Sequence, residues 1–142
     1  MRRASALLVV ALFAAACRGD APGDPPRVVL GRTPCARCGM VVSEMRFAGG
    51  WVASGGESVV FDDVGEMIAA LGENPAQASA AWVGDFDNGR WTKYALAAFV
   101  RVPGLGTPMG TGVVAFADHT AAESAVRSRV GAARIHSPGQ VP

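Results

Sequence analysis

The sequence is short of the residues on which most metal and nucleic-acid proteins depend. It holds three cysteines, and its two histidines are His119 and His136. A structural zinc site closes with four Cys or His ligands, and no second pair is present to complete one. Charged residues make up 18% of the chain, and 13 Lys plus Arg stand against 12 Asp plus Glu with no basic cluster. Nucleic-acid binding and polybasic membrane contact both need clustered positive charge, so both are excluded. Beyond the N-terminus, no apolar run approaches the roughly 20 residues of a membrane span.

What is present begins with Arg2 and Arg3, an apolar run from Ala4 to Ala16, and Cys17. At ~1.5 Å per residue that run makes roughly 20 Å of helix, short of a hydrocarbon core of about 30 Å. Residues 1–16 therefore read as an export signal that is removed. Leu12-Phe13-Ala14-Ala15-Ala16-Cys17 resembles a bacterial lipobox, in which small residues precede a Cys that is lipidated and becomes the mature N-terminus. Ala14 stands where a larger aliphatic residue is commoner. The competing reading is ordinary cleavage nearby, with Cys17 left as a spare thiol. Lipidation of Cys17 implies a chain anchored to a membrane on the periplasmic side of the cell envelope. Residues 17–26, rich in Pro, Gly and charge, read as a flexible tether. Residues 27–136 have a single-domain length, and residues 137–142 read as a disordered tail.

The domain contains a duplication visible in pattern rather than identity. Ser58-Val59-Val60-Phe61-Asp62-Asp63 is a β-rich run ending in acids, followed by Val64, Met67, Ile68 and Leu71, an i, i+3, i+4, i+7 apolar face that stops at Gly72. Asp63 and Glu66 are spaced as an N-cap and its return partner. Val113-Val114-Ala115-Phe116-Ala117-Asp118 repeats the strand, and Thr120 with Glu123 forms a capping-box pattern opening a second helix to about Gly131. Ala122, Val126 and Val130 supply its apolar stripe. Ala81 to Asp85 and Ala132 to Ile135 are the strands expected after each helix. Met40 to Ser43 with Arg46 to Ala53, and Trp91 to Tyr94 with Ala97 to Val102, read as hairpins. The fold class is α+β, two ββαβ-like halves packed into one small domain. Trp51, Trp82 and Trp91 read as core or interface anchors rather than a cofactor box.

The chemistry lies in Cys35-Ala36-Arg37-Cys38-Gly39-Met40. With Cys17 assigned to lipid, two thiols at this spacing form a disulfide, bind a metal or do redox work. If Cys38 to Met40 opens a strand, the Cys38 thiol and the Met40 thioether share one face. Thiolate with thioether is a soft donor set, which selects copper(I) over hard ions. A c-type haem would need His where Gly39 stands. A thioredoxin-like pair usually opens a helix after a strand, whereas Gly39-Met40-Val41-Val42 favours extended backbone. A plain Cys35–Cys38 disulfide stays open as an alternative.

Other residues divide between metal and structural readings. Met109, in Thr107-Pro108-Met109-Gly110, sits in a Gly- and Pro-rich loop with no regular face to fill, and is a candidate ligand beside the gap-filling role open to any Met. Met67 lies on the helical apolar stripe, where core packing competes with ligation. Met45 is undecided between a hairpin turn and the site. His119 precedes a helix, where a solvated turn His competes with a metal ligand. Asp62 and Asp63 read as helix-start acids, with no nucleophile placed beside them for acid/base work.

Taken in order, Cys35-Ala36-Arg37-Cys38-Gly39-Met40-Val41-Val42, Phe61-Asp62-Asp63-Val64, Trp82-Val83-Gly84-Asp85, Thr107-Pro108-Met109-Gly110 and Ala115-Phe116 resemble the NosL family. The match covers about residues 34 to 118. The resemblance implies a copper chaperone lipoprotein that accompanies nitrous oxide reductase. It also implies paired ββαβ units similar to the metal-binding part of organomercurial lyase. Such a protein binds copper(I) outside the inner membrane without substrate turnover. Its implied partners are a copper-receiving apo-enzyme, nitrous oxide reductase, and a membrane copper-handling or transporter complex. Cys35, Cys38, Met40 and Met109 are the metal ligands it points to. Glu66 departs from the family pattern, standing where relatives often have Cys or another residue before Met, and its capping role accounts for it. A copper site shared across a homo- or heterodimer is compatible with so few ligands. The alternative function is a thiol-active enzyme, a disulfide reductase or a lyase-like relative acting through Cys35 and Cys38.

Overall fold

Asp63 stops one strand and starts one helix, and the domain is organised around that junction and its copy. In the structure, a computed structural model describing residues 20–131 and 133–142, β1 (Gly49–Val52) pairs antiparallel with β2 (Ser58–Phe61), with Gly49 opposite Phe61. The chain then enters α1 (Val64–Glu73), and β3 (Ala81–Gly84) returns to the other edge of β1. The second half repeats the path. There β5 (Ala98–Arg101) pairs with β6 (Val113–Phe116), α2 (His119–Ala125) follows, and β7 (Ile135–His136) joins the free edge of β5. The sheet orders are β2-β1-β3-β4 and β6-β5-β7, so both halves are ββαβ units and β4 (Trp91–Lys93) adds a strand to the first.

Both expected hairpins and the cap of the second helix differ from the sequence expectation for physical reasons. Met40 to Ser43 forms no strand: Gly39, at φ 75°, turns the chain back, and only Val41 bridges, to Pro34. Arg46 lies on a tight turn, Met45–Phe47, so the hairpin partner of β1 is β2 instead. Likewise Trp91 to Tyr94 does not pair with Ala97 to Val102, because the turn Tyr94–Leu96 sends the chain into the second sheet while β4 pairs with β3. The second helix is capped by Asp118 rather than Thr120, the Ala121 N–H donating to Asp118 Oδ1 at 2.8 Å. Asp118 follows β6 directly, as Asp63 follows β2, so the acid reaches the helix start first. Helical turns continue through a wider turn, Val126–Val130, and end at Gly131, whose φ is 76°. Of the expected last strand, Ala132 lies outside the described residues.

Asp85 joins the halves. Its backbone bridges Ala115 in parallel, the Phe86 N–H donates to the Ala115 carbonyl at 2.8 Å, and its own Oδ2 accepts from the Ala117 N–H at 2.7 Å. One core packs Trp51, Phe61, Met67, Leu71 and Phe99 beneath α1, with Trp51 and Phe61 rings 5.3 Å apart. A second packs Phe47, Val100, Val114 and Phe116 against Ala122 and Ala125 of α2. Burying each large apolar side chain contributes about 1.5–3 kcal/mol. Both segments read as loose from composition make contacts. The Trp82 indole N–H donates to the Gly23 carbonyl at 3.2 Å, the Ser58 hydroxyl donates to Asp20 Oδ2 at 2.9 Å, and the Gly139 N–H donates to the Tyr94 hydroxyl at 2.9 Å. Among the described residues, no helix is long and apolar enough to cross a membrane.

Candidate metal centre

The cysteine loop is a tight turn pinned at both ends. The Cys35 N–H donates to the Met40 carbonyl at 2.7 Å, and the Gly39 N–H donates back to the Cys35 carbonyl at 3.0 Å. Gly39 supplies the positive φ that other residues adopt at a cost. The Ala36 N–H donates to the Val60 carbonyl at 2.7 Å, hanging the loop on β2. Arg37 fixes it from the other side, pairing with Glu66 at 3.0 Å and Glu73 at 2.9 Å on α1.

This anchoring brings both thiols to the end of β2. The sulfurs of Cys35 and Cys38 and a carboxylate oxygen of Asp62 all lie within 4.8 Å of one another. The Cys38 thiol donates toward both Asp62 oxygens, at 3.7 and 3.8 Å. Cys35 and Asp62 are each 3% exposed, while Cys38 is half-buried, so the cluster opens to solvent on the Cys38 side. Both thiols are free, and no disulfide joins them. Burial pushes the Cys38 thiol above its ordinary pKa, and the neighbouring Cys35 and the Asp62 charge push the same way, against a backbone contact with Met40. Two thiols and a carboxylate form a donor set for one ion, which displaces the thiol protons on binding.

Asp62, which the sequence pattern groups with Asp63 as a helix-start acid, is the candidate ligand that local pattern does not reveal. Only Asp63 caps, accepting from the Gly65 N–H at 2.8 Å and the Glu66 N–H at 3.4 Å. A signal was available: aligning Phe61-Asp62-Asp63 with Phe116-Ala117-Asp118 puts Ala opposite Asp62, an acid present in one half alone.

The methionines are placed apart by their surroundings. Asp63, fully buried, also accepts from Thr107 Oγ1 at 2.6 Å, the Met109 N–H at 3.0 Å and Thr111 Oγ1 at 2.6 Å. That fastens the Met109 loop of the second half to the same β2–α1 junction that holds Asp62. Met109 is 39% and Met40 49% exposed. Because residues 38–40 are turn and loop rather than strand, the shared strand face expected for Cys38 and Met40 does not form. Met67 is 0% exposed, and a Cβ on Gly49 would sit 2.6 Å from its sulfur, so it is core. Met45 packs at the β3–β4 turn, its Cβ 3.2 Å from where a Gly89 Cβ would stand. His119 is exposed at the start of α2 and pairs with Glu123 at 3.2 Å.

The NosL family model matches residues 26–137. The chain belongs to the NosL family. The crystal structure of the copper chaperone NosL from Shewanella denitrificans superposes with a TM-score of 0.67 at 17% identity, covering 84% of this chain and 96% of that one. At that identity the likeness establishes a shared fold. No curated protein matches the chain.

Proposed function

We propose that this NosL-family chain binds copper(I) at Cys35, Cys38 and Asp62, with Met40 and Met109 as thioether donors on the exposed side, and passes it to a copper-accepting protein. The observation that carries this reading is the convergence of two free thiols and a buried carboxylate within 4.8 Å. Thiolates are soft donors and select copper(I), and thioethers add affinity without a proton to displace. A carrier must release its ion, and the half-buried Cys38 with exposed methionines leaves one side for an acceptor's ligands to approach. The acceptor is a copper-receiving apo-enzyme, nitrous oxide reductase on the family resemblance, reached through a membrane copper-handling complex. Lipidation of Cys17 holds the carrier on the periplasmic side of the envelope. A disulfide reductase or lyase-like enzyme is less well supported, because fast turnover needs an attacking thiol whose pKa is lowered, and Cys38, which is pushed up, is left with slow, stoichiometric exchange.

Anaerobic titration of the reduced protein against a competing copper(I) chelator, with X-ray absorption for sulfur coordination, tests the reading. Tight binding that weakens at least tenfold in Cys38→Ser supports it. Equal affinity in Cys38→Ser and wild type removes it. Metabolic labelling with a radioactive fatty acid, lost in Cys17→Ser, tests the anchor.

A further inference from the structure

Cys35 and Cys38 stand three residues apart across the turn closed by the Gly39 N–H at 3.0 Å from the Cys35 carbonyl. That bond, from the fifth residue to the first, makes an α-turn, one helical turn that is not continued, in which residues three apart lie on one face. Their sulfurs are already within 4.8 Å and unbonded. They differ in access: Cys35 is 3% exposed, whereas Cys38 is half-buried. A reachable thiol backed by a sheltered one is the arrangement of an attacking and a resolving sulfur.

We propose that the pair is a redox switch on copper binding, in which the dithiol holds copper(I) and the Cys35–Cys38 disulfide does not. The inference rests on the copper reading above and adds what empties the site. The co-reactant is a disulfide, RS–SR. The Cys38 thiolate attacks one of its sulfurs, forming Cys38–S–S–R and expelling RS⁻. The Cys35 thiolate then attacks the Cys38 sulfur, forming the Cys35–Cys38 bond and expelling the second RS⁻. The copper-free dithiol gives up two electrons and two protons, and RS–SR becomes two RSH; the copper-bound dithiolate gives up two electrons and releases copper(I) with its oxidation state unchanged, and the two RS⁻ take their protons from water.

After closure neither sulfur is a thiolate, and the remaining Asp62 carboxylate is a hard donor with no preference for copper(I). The ring would enclose only Ala36 and Arg37 between the cysteines, so it constrains little of the unfolded chain and adds little stability. A bridge without a stabilising role is a labile one. The Ala36 hydrogen bond to Val60 and the Arg37 pairs with Glu66 and Glu73 hold the turn from outside the ring, keeping the sulfurs opposed.

The test uses the full chain carrying Cys17→Ser, equilibrated anaerobically over ratios of reduced to oxidised glutathione. Mass spectrometry reads the loss of two hydrogens, and chelator competition reads copper(I) affinity. The expected result is a two-electron titration in which affinity falls at least tenfold as the disulfide forms. A Cys35→Ser variant accumulates a glutathione adduct on Cys38 that the intact pair resolves, while Cys38→Ser accumulates far less. Failure of the disulfide to form in oxidised glutathione, or unchanged affinity once it has formed, overturns the switch. Absence of copper(I) binding by the reduced protein, seen before any oxidant is added, overturns the copper reading and the switch together.

Discussion

Replacing Asp62 by Asn removes the charge that faces the Cys38 thiol at 3.7 and 3.8 Å while keeping the side chain's shape. Two effects separate. The loss of a donor is expected to weaken copper(I) binding about tenfold, which is about 1.4 kcal/mol. The Cys38 thiol, raised by burial first and by its neighbours Cys35 and Asp62 after it, moves back toward its ordinary pKa, because the nearby negative charge that disfavoured the thiolate is gone. The pH rate profile of alkylation in the copper-free protein reads this shift; a profile that stays put or moves to higher pH contradicts it. Copper(I) displaces the thiol proton, so wild-type affinity rises with pH and keeps rising past the point where an unperturbed thiol levels off. In Asp62→Asn that levelling comes at lower pH, measured by chelator competition across the same range.

At the scale of elements, Asp63 and Gly39 decide whether the pieces of the site meet. Asp63 is 0% exposed and accepts hydrogen bonds from Gly65, Glu66, Thr107, Met109 and Thr111. Asp63→Ala removes the cap of α1 and leaves buried Thr107 unpartnered on that side, for an expected loss of about 3–5 kcal/mol in urea unfolding. A loss under about 1 kcal/mol would show that the Met109 loop does not depend on it. Gly39→Ala meets no atom within 4 Å, so its cost is the φ of 75° alone, about 1–2 kcal/mol. Because that strain falls on the turn opposing the two sulfurs, copper(I) affinity is expected to fall along with stability.

The same elements show how far the fold was legible. The Asp63 cap, α1, the apolar stripe and the doubled ββαβ pattern follow from local spacing, and the structure has them. Pairing does not follow from spacing. Val41, Val42 and the run around Trp91 have strand composition, yet their partners are chosen by a glycine turn and by a tight turn at Tyr94–Leu96. The two thiols were visible as a motif. Asp62 was not, because its role depends on the cysteine loop folding back onto β2 from 24 residues away.

Across the whole molecule, the thiols come from the entry to the first half and Met109 from the β5–β6 connection of the second, held to the first by Asp63. Asp85, 3% exposed, is another polar tie between the halves; it follows β3 at the same end of the sheet as Asp62 follows β2, with β1 between them. Asp85→Ala orphans the Ala117 N–H along with those of Asp87 and Asn88, and is expected to cost about 2–4 kcal/mol in thermal or urea unfolding. The copper(I) affinity of the folded fraction should change less than threefold, since none of the proposed ligands is attached through Asp85. Copper then separates two architectures. Free copper(I) at a hundred times Kd stabilises a binding-competent fold by about 2.7 kcal/mol whatever its starting stability. If the site belongs to the β2–α1 junction, that increment appears in Asp85→Ala as in wild type and disappears in Cys38→Ser. An increment lost in Asp85→Ala, in protein that still folds, would mean that the docking of the two halves is itself part of the metal site.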